Sequence, residues 1–277
     1  MNRLLVGFFL CCICLLSATS FASSPRIPDN RIPADGPLEV IKERIGNSEV
    51  TPHAAIVSLL ESYRDADALA IIKESRLSAL NEYDYPMITY AAAYGAYESF
   101  SWLRQNDKEI AMDSGWIDIA LGFAAGAGAY RIALELFPEA SQTARAEALV
   151  RAAGNGQCGM FAMMAKQFDT PLSDRQTMSV AESVTRDCAL SELRLFVDIW
   201  SIEPIIEASV PEVLFIALLN DSGRFRNLFV FWLTQGVPTE RFCAAPSWYV
   251  DGMREEIQYR PSPADREKIL DLYLSEC

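Results

Sequence analysis

The sequence predicts an all-α protein built as an α-solenoid, a stack of short antiparallel helix pairs, and three observations predict it. From about Leu38 onward nearly every segment carries apolar residues at helical spacing, with few alternating or β-branched runs. The helical segments are about ten residues long and come two at a time, a length that is marginal alone and must bury an apolar face against neighbours. A small-residue phrase also recurs. Ala91-Ala92-Ala93-Tyr94-Gly95-Ala96-Tyr97 returns as Ala124-Ala125-Gly126-Ala127-Gly128-Ala129-Tyr130, and Ala152-Ala153-Gly154-Asn155-Gly156 is a third copy. A period of about 28 to 33 residues is how stacked helix pairs bury a continuous core.

Residues 1–22 read as an export signal removed from the mature chain. Arg3 supplies the positive start, Leu4 to Leu16 form an apolar run short of a comfortable bilayer span, and Ser20-Phe21-Ala22 offers small residues for cleavage after Ala22. None of Cys11, Cys12 and Cys14 follows the small residue usual in a bacterial lipoprotein signal, so a soluble periplasmic protein is expected, with secretion as the alternative. Residues 23–37 carry Pro25, Pro28, Pro33 and Pro37, which prevent a continuous helix or an inner strand and predict an extended lead-in.

The repeat domain is expected over 38–238. Its helix pairs are Ala54–Glu61 with Asp67–Lys73, Ile88–Tyr94 with Glu98–Arg104, and Ile117–Ala125 with Ala129–Phe137. Then come 145–153 with 158–167, 175–185 with 189–200, and 212–220 with 224–234. Past Pro238 the period lapses, and 239–277 reads as a C-terminal capping segment. There Ser262-Pro263-Ala264-Asp265 starts a helix whose Ile269, Leu270, Leu272, Tyr273 and Leu274 can cover the exposed face of the last repeat.

Within a stacked pair the first helix lies between two neighbours, so its middle must be narrow. Ala91-Ala92, Ala124-Ala125 and Ala152-Ala153 keep it narrow at the highest helix propensity. Gly95, Gly128 and Gly156 stand where the chain must reverse, a position that favours positive φ. The second helices carry larger apolar residues: Phe100, Trp102 and Leu103, then Ile132, Leu134 and Leu136, then Met160, Phe161, Met163 and Met164.

This order resembles the ankyrin repeat, whose consensus runs T-P-L-H-x-A-A-x-x-G-H-x-E. Residues 86–98 keep Ile88, Ala91, Ala92, Gly95 and Glu98 of that pattern, residues 119–131 keep Leu121, Ala124, Ala125 and Gly128, and residues 147–159 keep Leu149, Ala152, Ala153 and Gly156. Pro86-Met87 and Ile119-Ala120 replace the Thr-Pro that starts the first helix, and Ser183-Val184 stands in place of the alanines, so another α-solenoid stays open. The resemblance implies recognition of a protein through the concave face. In the family that face is lined just before the first helices, where Tyr83, Tyr85, Trp116 and Asp118 fall, and at the variable positions before the glycine, where Tyr94 and Asn155 fall. Aromatic residues there are good anchors.

The formal net charge is −13, and loss of Arg3 with the signal makes it more negative. That balance argues against nucleic acid and anionic lipid, and no stable membrane insertion is expected once the signal is cleaved; it suits a basic protein partner. Cys158, Cys188, Cys243 and Cys277 remain after cleavage; an even number in an exported chain makes them disulfide candidates, with proximity favouring Cys158 with Cys188 and Cys243 with Cys277. No CxxC is present.

Chemistry-bearing motifs are sparse. His53 is the single histidine, and no cysteine or acid stands at ligand spacing around it, so no metal site is expected. Gly122 to Tyr130 is glycine-rich but lies within and just after a helix, where packing explains it better than a phosphate loop. Acid pairs such as Asp65 with Asp67 or Glu255 with Glu256 have little specificity. The expectation is a binding module with no catalytic residues and no cofactor, in one version an immunity protein that neutralises a toxic effector. The alternatives are an accessory protein that protects or assembles an envelope enzyme and, further off, a hydrolase using an acidic pair.

Overall fold

The computed structural model describes residues 36–81, 85–111, 113–167, 172–201, 204, 227–228, 230–231, 234–235 and 247–276. The expected signal peptide, residues 23–35 of the lead-in, the helix at 212–220, Tyr83, Cys243 and Cys277 lie outside the described residues. Among the described residues every regular element is a helix. They fall into two compact units, one ending at Pro171 and the other starting at Leu172.

The first unit holds α1 (Leu38–Gly46), α2 (Pro52–Glu61), α3 (Asp65–Glu74), α4 (Leu77–Leu80), α5 (Met87–Ala93), α6 (Tyr97–Asn106), α7 (Lys108–Ala111), α8 (Ser114–Ala127), α9 (Tyr130–Leu136), α10 (Gln142–Gly154) and α11 (Cys158–Ala165). The pairs α2/α3, α5/α6, α8/α9 and α10/α11 each pack together. First helices also pack on first helices, α2 on α5, α5 on α8 and α8 on α10, while α3 packs on α6 and α6 on α9. The result is two layers of helices with the apolar core between and along them.

Side-chain size separates the layers as expected. Ala91, Ala92, Ala124, Ala125, Ala152 and Ala153 are fully buried in the first-helix layer. Phe100, Leu103, Ile132, Leu136, Met160, Phe161 and Met164 fill the second-helix side. Leu134 departs from its expected role: it is 43% exposed, because Ile132, Ala133 and Leu136 already make the buried face of the short α9.

Each turn between paired helices is a Schellman closure, and the alanine pair makes it. Ala96 N–H donates to Ala91 O (2.9 Å) and Gly95 N–H to Ala92 O (3.2 Å). Ala129 and Gly128 donate in the same way to Ala124 (2.9 Å) and Ala125 (3.3 Å), and Gln157 and Gly156 to Ala152 (2.8 Å) and Ala153 (3.0 Å). The three glycines take φ of 67°, 73° and 67°. The residue after each glycine then offers its own carbonyl to the first bond of the second helix, Phe100, Ala133 and Phe161 being the donors. One residue therefore ends one helix and begins the next.

Two further turns have this form without glycine. Arg64 N–H donates to Leu59 O and Tyr63 N–H to Leu60 O, with Tyr63 at φ 58°. At the end of α1, Glu49 and Ser48 donate to Arg44 and Ile45, with Ser48 at φ 59°. The left-handed conformation costs a non-glycine residue about 1–2 kcal/mol, so the hydrogen bonds and burial beneath these turns hold it.

The second unit contains α12 (Asp174–Asp187), α13 (Leu190–Trp200), α14 (Ser247–Ile257) and α15 (Pro263–Glu276). A capping box starts α12, where Ser173 and Gln176 satisfy each other's backbone N–H. Val180, Val184, Leu193 and Phe196 are buried in the α12–α13 pair. Helix α15 begins at the expected Pro263, after Ser262 at φ 53°, and packs on α14, an element the periodicity does not announce. Met253, Ile257 and Leu270 are buried there, and Arg254 pairs with Asp271 (2.6 Å).

Cys158 and Cys188, two of the four disulfide candidates, are disulfide-bonded.

The turns yield opposite expectations for two substitutions. Gly128→Ala would place a Cβ at φ 73° and against the Gln157 side chain, and is expected to destabilise by about 1–2 kcal/mol. Tyr63→Gly is expected to stabilise by about 0.5–1 kcal/mol, because the ring is 89% exposed and little packing is lost. Urea midpoints check both; a Tyr63→Gly midpoint at or below that of the parent chain would contradict this account of the turn.

Candidate functional site

The first-helix layer carries a partly exposed aromatic face. On α8 the buried stripe is Ala120, Leu121, Ala124 and Ala125, while Trp116, Ile119 and Phe123 are half-buried on another side. Tyr85, placed by Pro86 at the start of α5, reaches this face: its ring centroid lies 6.4 Å from Trp116 and 5.7 Å from Phe123, both edge-on. Inward, Tyr85 meets Tyr90 at 6.5 Å, and Tyr90 meets His53 at 5.1 Å. The rings form a continuous chain from surface to core.

Helix α10 closes this face on one side. Two glycines one turn apart on α8 receive two polar side chains one turn apart on α10. A Cβ on Gly122 would stand 3.2 Å from Arg151 Nη1, and a Cβ on Gly126 would stand 2.8 Å from Asn155 Nδ2. Asn155 Nδ2 donates to Gly126 O (3.0 Å), and the Arg151 guanidinium lies over the Phe123 ring, 5.8 Å from its centroid. The glycines in this stretch therefore serve close approach as well as the turn.

Of the sequence-derived binding residues, Tyr85 and Trp116 come together here. Trp116 and Asp118 do not precede the first helix, as the spacing predicts, but lie within it. The helix begins at Ser114 because Asp113 caps it, accepting from Gly115 N–H (2.8 Å) and Trp116 N–H (3.2 Å). The Asp118 carboxylate is engaged within the fold: it accepts Ser141 N–H (2.8 Å) and Ser141 Oγ–H (2.6 Å), orienting the residue that caps α10. Tyr94 and Asn155 are C-cap residues of α5 and α10. Phe123 and Arg151 are absent from the sequence-derived set. Spacing could have found them, since Phe123 is two turns beyond Trp116 and Arg151 one turn before Asn155.

Three of the acids weighed for hydrolysis, Asp65, Asp67 and Glu256, are committed to the fold. Asp65 accepts Glu98 N–H (2.9 Å), Ser99 N–H (3.1 Å) and Ser99 Oγ–H, so the preceding pair caps α6, whose own cap position is Ala96. Asp67 binds Arg64 at 2.6 Å. Glu256 pairs with Arg260 (3.0 Å). Along the second-helix layer Tyr97 Oη–H donates to Glu135 (2.6 Å) under the Arg131 guanidinium, and that carboxylate holds the phenol above the ordinary tyrosine pKa.

A cavity of about 560 Å³ opens beside α1, α2 and α3, away from the aromatic face. Its rim charges Lys42 and Glu74 bind each other at 2.6 Å. No group of three or more His, Cys, Asp and Glu side chains that could hold a metal occurs among the described residues. None of the helices searched is long and apolar enough to cross a membrane.

His53 forms part of the cavity wall and is 1% exposed. Burial pushes its pKa from 6.5 down to about 4. Between about pH 6.5 and pH 4 the unfolded chain therefore binds a proton that the folded chain does not, and stability is lost as pH falls through that window. Relative to His53→Leu, the parent chain is expected to lose about 3 kcal/mol more between pH 7 and pH 4 in urea unfolding. Equal losses would show that His53 charges freely in the fold.

Comparison with known proteins returns no matching family model, no matching curated protein and no matching solved structure, so the reading of this face rests on its residues and geometry.

Proposed function

We propose that this chain is an exported protein-binding module, an ankyrin-like α-solenoid with a C-terminal capping segment, which recognises a protein partner through its first-helix face. The observation that carries the reading is the half-exposed cluster of Tyr85, Trp116 and Phe123, held edge to face by α5 and α8. Rigid aromatic side chains lose little conformational entropy on binding and anchor interfaces well. The ankyrin-like element is supported by the alanine pairs, the glycines at positive φ and the layered packing of first on first and second on second helices.

Export to the periplasm is supported by Arg3, the apolar run and Ser20-Phe21-Ala22, and by an oxidising compartment that suits disulfide-bonded Cys158 and Cys188. A net charge of −13 favours fast association with a basic target, which fits an immunity protein occluding a toxic effector. An accessory protein for an envelope enzyme would use the same face; the identity of the captured partner separates the two.

A tagged chain is expected to retain one dominant protein from periplasmic extract at physiological salt. Trp116→Ala with Tyr85→Ala should weaken that capture by at least about tenfold, as expected for interface anchors, while leaving the far-ultraviolet helical signal unchanged. Capture undiminished in the double variant would move the binding surface elsewhere, and recovery of no partner would count against a binding module.

A further inference from the structure

We infer that Arg151, seated on the aromatic face, is a carboxylate-binding residue that takes an acidic side chain of the protein partner. The inference rests on the protein-binding reading above and adds the chemistry of the contact.

The first observation is a contrast among arginines. Among the described residues the other half-buried guanidinium groups are supplied with acceptors: Arg64 by Asp67, Arg104 by Glu135 and Glu139, Arg145 by the carbonyls of Ala140 and Pro138, and Arg254 by Asp271. Arg44, Arg186 and Arg260 follow the same rule. The Arg151 guanidinium, also half-buried, has neither a hydrogen bond nor an ion pair among the described residues; its one contact of this kind is the Phe123 ring. Glu147 stands one turn before it on α10, at a spacing that permits pairing, and is exposed without closing on it. In a chain with 37 acidic residues, a guanidinium left without one is not a matter of supply.

The second observation is that the group is held in position. Gly122 leaves room for it, Nη1 standing 3.2 Å from where a Cβ would be, and its Cζ lies over the Phe123 ring, 5.8 Å from the centroid. One turn along, Asn155 is tied to Gly126 O, which fixes the register of α10 against α8. A ring takes up none of the guanidinium's N–H donors in hydrogen bonds, so they remain for a planar acceptor, and a carboxylate matches that fork in a bidentate way. The Phe123 ring beside it, packed in turn on Tyr85, lowers the local dielectric and favours an acidic side chain flanked by an apolar one. This does not conflict with a basic partner: the overall negative charge steers the encounter, and one acid on the partner fixes the register.

The probes are two capped peptides, acetyl-Gly-Trp-Glu-Gly-amide and its Gln counterpart, titrated into the full-length protein while the Arg151 Nε–H and Trp116 indole N–H signals are followed by NMR. The Glu peptide is expected to shift both signals saturably with a dissociation constant about tenfold below that of the Gln peptide. Arg151→Gln should erase the preference, and Arg151→Lys, which keeps the charge without the fork, should lose most of it. Equal affinities, a preference that survives in Arg151→Gln, or no saturable shift with either peptide would overturn the inference. So would a tighter fit of acetyl-Gly-Gly-Trp with a free C-terminal carboxylate, which would reassign the residue to chain ends. If the periplasmic partner is still lost with Trp116→Ala and Tyr85→Ala while the Glu preference is missing, the carboxylate site fails and the binding module stands.

Discussion

The fold depends on how closely the first helices approach one another. Helices of seven to fourteen residues have little stability alone, so each must be covered on both sides by the next pair. Ala91-Ala92, Ala124-Ala125 and Ala152-Ala153 make that approach feasible because they present almost nothing beyond Cβ. The same residues supply the two carbonyls that close each turn. One dipeptide thus sets both the spacing between pairs and the reversal within a pair, and larger side chains there would disturb the two together.

Polar side chains then tie successive pairs to one another. Asp65 caps a helix of the following pair, Asp118 orients the cap of α10, and Tyr97 reaches Glu135 on the next second helix. A carboxylate that caps a helix N-terminus, as Asp65 does, is worth roughly 1 kcal/mol, and it acts in a chain whose apolar contacts are otherwise local. Part of the acidic composition is therefore architectural. Asp65, Asp118 and Glu139 are bound to backbone N–H groups, hydroxyls or an arginine, whereas the aromatic face and Arg151 are less occupied.

The glycine-marked turns and the division into small first helices and larger second helices were legible in the sequence, because glycine at positive φ and paired alanines leave a direct trace. The turns at Ser48 and Tyr63 were not, since a left-handed non-glycine residue has no such mark. Trp116 and Asp118 fell inside α8 because Asp113 starts that helix ahead of Ser114-Gly115, two weak helix formers that hide the boundary. Gly122 and Gly126 are legible as packing residues, but the side chains they admit, Arg151 and Asn155, come from the next helix pair and leave no trace in the spacing. The capping of α6 by Asp65 and the isolation of Arg151 are facts of the third dimension, and periodicity within one segment does not encode them.

The central claim is that the alanine-carbonyl turns are structural closures of the stack and not surface loops. Native-state hydrogen exchange at the amides of Ala96, Ala129 and Gln157 tests this most directly. These amides sit between helices yet donate to Ala91, Ala124 and Ala152, so they should exchange only with the large-scale opening that releases the first-helix amides around them. Exchange at close to unprotected rates, with the helices on either side still protected, would contradict the account.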